Sequence, residues 1–207
     1  MTPEEVRRRF ARAIAGERAS DPKTIAAMRG DHLLVPGGPP PAGAFTPAAV
    51  LVPLVMRPAE LTVMLTQRTA HLAAHGGQIS FPGGRAEPED ADSVAAALRE
   101  TEEEVGLPRD YVEVVGRLDT YLTSTGFEVT PVVGLVRAPY PMRPDPFEVA
   151  EVFEVPLSFI VDPANHRRDS REYKGRLRHF FVLPYQNRYI WGATAGMLVN
   201  LAEVLGA

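Results

Sequence analysis

An α+β fold, with a mixed β-sheet between helices, is the architecture this sequence predicts. Strand-like runs rich in Val, Leu, Ile and Phe outnumber helical ones. Helical periodicity is confined to residues 3–15, 93–105 and the C-terminus, so helices do not alternate regularly with strands. The 207 residues, 45% apolar and 23% charged, suffice for one sizeable core. We therefore expect a single domain over 1–207, with an N-terminal helix and connector at 1–47 and the core at 48–200.

Residues 3–15 begin with Pro at N1 and acids in the first turn, and Val6, Phe10 and Ile14 recur at i+4 spacing, which predicts an amphipathic helix packed on the domain. From Gly16 to Pro47 the composition is that of a connector, loosest at the Gly/Pro run 37–43. Residues 49–57 and 60–67 read as a strand pair around a Pro-containing turn. Further strand signals stand at 112–118, 127–137, 149–155, 177–183 and 188–191. A closing helix at 193–205 places Met197, Leu198, Leu201 and Leu205 on one side. No internal repeat or low-complexity segment interrupts the chain.

The bulk numbers narrow the function. A net charge of −4 gives no reason to expect nucleic acid or an anionic membrane as partner, so an anionic substrate must be met by local arginines and metal ions. With no cysteine there is no disulfide, which fits a cytoplasmic protein. The N-terminus lacks a secretory h-region, and the longest apolar run, 48–56, is too short to span a bilayer and is broken by Pro53. A soluble protein is expected; its oligomeric state is open.

The most informative stretch is 83–107. Its second half predicts a helix at 93–105, with Asp90 or Asp92 as N-cap, Gly106 at C′ and Pro108 beyond. Val94, Leu98, Thr101 and Val105 form an apolar stripe, and Glu100, Glu103 and Glu104 share the opposite face. Like charges at i, i+3 and i+4 repel, and the last turn disfavours acids by roughly 0.3–1 kcal/mol each. Arg99 can pair with Glu103 but cannot neutralise all three, whereas a bound divalent cation can; hard oxygen ligands suit Mg²⁺. Acidic helix faces are also common and mostly inert, so the glutamates alone leave both readings open.

The run Arg99-Glu100-Thr101-Glu102-Glu103-Glu104-Val105-Gly106-Leu107, preceded by Gly83-Gly84, resembles the REUxEExGU motif (U, bulky apolar) of the Nudix hydrolases, a family that cleaves a nucleoside diphosphate linked to another group. Two departures stand out. Gly84 to Arg99 is one residue longer than usual, which puts Ala91 where the first glutamate belongs and leaves Asp90 and Asp92 beside it. Thr101 replaces a larger aliphatic residue. The resemblance implies an α/β/α sandwich, Mg²⁺ or Mn²⁺ held by Glu100, Glu103 and Glu104, and Arg99 orienting Glu103.

Upstream, Met64-Leu65-Thr66-Gln67-Arg68-Thr69 and Gly77-Gln78-Ile79-Ser80-Phe81-Pro82-Gly83-Gly84 are similar to the extra signature of the coenzyme A pyrophosphatase branch, with Ala73 where that signature has an arginine. Residues 126–134 and 148–157 also look like this branch. That resemblance implies hydrolysis of coenzyme A to 3′,5′-ADP and 4′-phosphopantetheine. Arg68 can fork onto a phosphate. His71, Gln78, Gly83, Gly84 and Arg85 complete the expected substrate wall, while His71 and His75 read as loop histidines rather than metal ligands. The resemblance implies a general base either on the box helix or in a later loop, where Glu148, or else Glu151, is the candidate. The alternatives are another nucleoside diphosphate derivative such as ADP-ribose, or a non-catalytic nucleotide-binding module.

Overall fold

The computed structural model describes residues 1–17, 28–35, 42–71, 76–173 and 175–206. Helix α1 (Pro3–Glu17) opens with a capping box. The Thr2 hydroxyl accepts from the Glu5 N–H at 3.2 Å, and the Glu5 carboxylate accepts from the Thr2 N–H at 2.7 Å. Val6 and Phe10 are buried as expected; the Ile14 side chain lies outside the description. Within the predicted connector, Asp31–Leu34 form a 3₁₀ turn. Arg29 just before it bridges to Tyr121 and pairs with Asp119 at 2.6 Å and with Glu203, pinning the segment to the core. Residues 18–27 and 36–41 of the connector lie outside the described residues.

Then come β1 (Thr46–Met56), β2 (Leu61–Arg68), β3 (Ile79–Ser80), β4 (Gly83–Arg85), α2 (Ser93–Val105), β5 (Val112–Arg117), β6 (Tyr121–Leu122), β7 (Phe127–Arg137), β8 (Val149–Pro156) and α3 (Leu157–Val161). The first sheet runs β3-β2-β1-β7-β5, with β4 on β1, β6 on β7 and β8 on β2. Among the described strand pairs of this sheet the central β1–β7 pair is the parallel one, Thr46↔Phe127 through Met56↔Arg137, so the sheet is mixed as predicted. Both central strands are covered on both faces, hence their nearly unbroken apolar sequence. Pro53 is tolerated because it falls between the β4 pairing at Ala48–Val50 and the β2 pairing at Leu54–Met56.

One face of the sheet packs Leu51, Val55, Met64 and Val132 against Ala96, Ala97 and Val105 of α2. The other packs Leu54, Val63, Leu65 and Val133 against α1, α3 and α4 (Gly192–Val204). A second sheet, β9 (Arg167–Tyr173), β10 (Arg176–Tyr185) and β11 (Arg188–Trp191), closes that side. Strand β9 has no sequence signal: RRDSREY carries no apolar alternation and forms through its full ladder with β10. The one-sided stripe expected for α4 is also corrected. Thr194 through Ala202 are buried without interruption, because other elements surround the helix. No described helix is long and apolar enough to cross a membrane.

Candidate active site

Helix α2 runs over the predicted residues. The Asp92 carboxylate accepts from Val94 N–H and Ala95 N–H, both at 2.9 Å, and Gly106 at φ 69° ends the helix. Its buried face is rotated from the expected stripe: Ala96, Ala97, Thr101 and Val105 are buried, while Val94 and Leu98 are half-buried. The two alanines let the helix approach the sheet on a face too small for larger side chains. Thr101 satisfies its buried hydroxyl on the Ala97 carbonyl at 2.6 Å. The rotation leaves the three predicted carboxylates unequally buried. The Glu103 side chain is 61% exposed and that of Glu100 23%, but that of Glu104 only 5%. Glu104 faces the core rather than the opposite side.

There the Glu104 carboxylate accepts from the Gly83 N–H at 3.0 Å and from the Thr66 hydroxyl at 3.5 Å, with the Arg68 guanidinium 4.0 Å away. Burial dominates these partners and pushes its pKa up to about 7, with Glu148 and Glu100 adding to the rise. Glu148 lies 3.6 Å from Arg68 on the other side, so the arginine stands between the two acids. Its loop is held by the Thr69 N–H, which donates to the Glu148 carbonyl at 2.9 Å. Burial also raises the Glu100 pKa, against the pull of Arg99.

Arg99 holds the other end of the cluster. It reaches Glu103 at 3.1 Å, as expected, and also Glu100 at 3.1 Å and the Arg85 carbonyl at 3.1 Å. A two-pronged pair fixes it to Asp90 at 3.0 and 2.9 Å and holds the Asp90 carboxyl down to about 2. Of the two acids offered beside Ala91, Asp92 is thus the cap, and Asp90 is the carboxylate that anchors Arg99.

The glycine pair has a steric reason. Gly83 has φ 149°, and a Cβ there would strike the Ala49 carbonyl and Val50; a Cβ on Gly84 would strike the Glu100 carboxylate. Among the other expected wall residues, Gln78 gives its carbonyl to the Arg68 N–H at 2.9 Å. Arg85 instead leaves the cluster with its guanidinium over the Phe127 ring at 5.6 Å. His71 packs edge-on against Phe147 at 4.9 Å, and His75 lies outside the described residues. Glu151 is paired with Arg188, which stacks over Phe153, whereas Glu148 stays beside Arg68. Thr66 and Phe147 border the cluster too. Thr66 lies inside the upstream signature at 64–69, and Phe147 has no sequence signal beyond its neighbour Glu148.

Among the described residues no three His, Asp or Glu side chains converge as a ready-made metal cage. The donors present are nonetheless all carboxylate oxygens, and buried Glu104 has only a distant guanidinium as counter-charge. This set fits a hard cation such as Mg²⁺ or Mn²⁺, which takes few protein ligands and fills its shell with water and substrate phosphate.

The NUDIX domain family model matches residues 45–174. Uncharacterized Nudix hydrolase NudL of Yersinia pestis (strain Pestoides F) is 42% identical over 156 residues, 75% of this chain and 78% of that protein. NudL of Yersinia pseudotuberculosis (serotype O:1b) matches to the same extent, 42% over 156 residues with 75% and 78% covered. Among solved structures, RenU, a Nudix hydrolase from M. smegmatis, superposes with a TM-score of 0.50 at 19% identity, covering 86% of this chain and 93% of that one, and shares the fold. With the box helix, its capping loop and the Arg68 strand joined in one site, the chain belongs to the Nudix family of hydrolases, which act on nucleoside diphosphate derivatives.

Proposed function

We propose that this hydrolase cleaves the diphosphate of coenzyme A or a derivative, giving 3′,5′-ADP and 4′-phosphopantetheine, with Mg²⁺ or Mn²⁺ as cofactor. The observation behind the reading is that the upstream signature and the box meet: Arg68 of the former stands between Glu104 of the latter and Glu148, at 4.0 and 3.6 Å. A guanidinium held this loosely by two acids can exchange them for the oxygens of a diphosphate.

Glu100, Glu103 and Glu104 would hold the cation. The chemistry such an ion supplies when bound is charge neutralisation on the diphosphate oxygens and a lowered pKa for the attacking water. The Gly83 N–H and the Thr66 hydroxyl orient Glu104. Arg99, fixed by Asp90, positions Glu100 and Glu103. Glu148 takes the proton of the attacking water as general base; its side chain is 46% exposed and therefore within reach of a water. No activated serine or cysteine is required.

Digestion of coenzyme A with and without Mg²⁺ in ¹⁸O-labelled water tests this. The expected result is metal-dependent release of the two products, with ¹⁸O in one of them marking the phosphorus attacked. Intact coenzyme A beside rapid hydrolysis of ADP-ribose would move the assignment to another nucleoside diphosphate derivative.

A further inference from the structure

Phe147 is the most exposed large apolar side chain among the described residues, at 63%. It is not on a loose loop. The Arg143 and Asp145 N–H groups donate to the Val105 and Glu104 carbonyls at the end of α2, both at 2.9 Å. The Phe147 N–H donates to the Asp145 carboxylate at 2.8 Å, and its carbonyl accepts from the Thr69 hydroxyl at 2.7 Å. Its backbone is thus fixed both to the helix bearing Glu104 and to the residue after Arg68. His71, from that same loop, meets the ring at 4.9 Å and 62°, an edge-to-face contact that orients the ring and leaves it largely open.

An aromatic face held in one orientation and left to water, one residue from Glu148 and bonded next to Arg68, is a stacking platform. We propose that Phe147, braced by His71, stacks against the adenine ring of the substrate. In a nucleoside diphosphate the base lies one ribose from the phosphates, and Phe147 adjoins Glu148 in the chain while its carbonyl is held by Thr69, the residue after Arg68. Any nucleobase offers a π-face for such stacking, which needs no hydrogen-bond code. The proposal rests on the reading that the substrate carries an adenine on its diphosphate.

The test uses the full chain with Phe147→Ala and Phe147→Trp. Phe147→Ala should raise KM for coenzyme A by about tenfold or more while kcat stays within about twofold, the split of lost uniform binding. Phe147→Trp should restore KM. Its added fluorescence, measured against the wild type with Trp191, should be quenched by 3′,5′-ADP and AMP but not by 4′-phosphopantetheine. An unchanged KM in Phe147→Ala while coenzyme A is hydrolysed, or equal quenching by the base-free product, overturns the platform and leaves the proposed activity standing. If coenzyme A is not hydrolysed and adenine nucleotides still quench the tryptophan, the platform stands and the coenzyme A assignment falls.

Discussion

Glu104 shows at the scale of one residue how a site can oppose the fold that builds it. Its pKa is raised to about 7 by burial, so in metal-free protein the folded state favours the protonated carboxyl. The stability this group contributes is fully present below its unfolded pKa of 4.5 and is lost as pH rises through about 7. Thermal melts in chelator should therefore show falling Tm between pH 5 and pH 8, and Glu104→Gln should flatten that slope; a slope unchanged in the variant would refute the burial argument. Glu103→Gln and Glu104→Gln should each lower turnover by orders of magnitude with circular dichroism unchanged. For Glu103 the cause cannot be lost packing, since its side chain is 61% exposed. Arg68→Ala should raise KM for coenzyme A more than it lowers kcat.

At the scale of the element, α2 is set by its ends and by the loop before it. Asp92→Ala removes the acceptor of two N–H groups and should cost about 1 kcal/mol, a Tm loss of roughly 2–4 °C for a chain of this size. Gly84→Ala should do little to Tm by that route yet abolish most activity, because the methyl group displaces the Glu100 carboxylate. Comparing the two variants by calorimetry and turnover separates helix stability from site geometry. The helix bounds were legible because a cap, a periodic run and a C′ glycine agree with one another. Its buried face was not. Val94 and Leu98 are larger than Ala96 and Ala97, yet they pack at the margin of the cluster that buries the two alanines and Val105.

At the scale of the whole molecule, the mixed sheet collects three distant stretches: Arg68 ends β2, Glu148 precedes β8, and Glu104 lies on α2. β2 pairs with β8 as far as Arg68↔Val149, and this register sets Arg68 beside Glu148. A cation bound here joins elements from separate parts of the chain, so it should stabilise all of them together. Chelation should abolish activity, and Mg²⁺ or Mn²⁺ should restore it and raise Tm by several degrees near pH 8. Activity that persists in chelator would refute the metal assignment.

By itself the sequence determined the α+β class, the extents of α2 and β7, the glycine pair and the acidic run, because each is written in local spacing, caps and period. Only the tertiary structure decided that Glu104 is buried while Glu103 is not, that Asp90 rather than Asp92 anchors Arg99, and that β9 is a strand at all. The physical reason is common to these cases. Burial, like-charge proximity and ladder pairing depend on what another part of the chain brings alongside, and Asp90 reaches Arg99 only when the loop before α2 folds back along the helix.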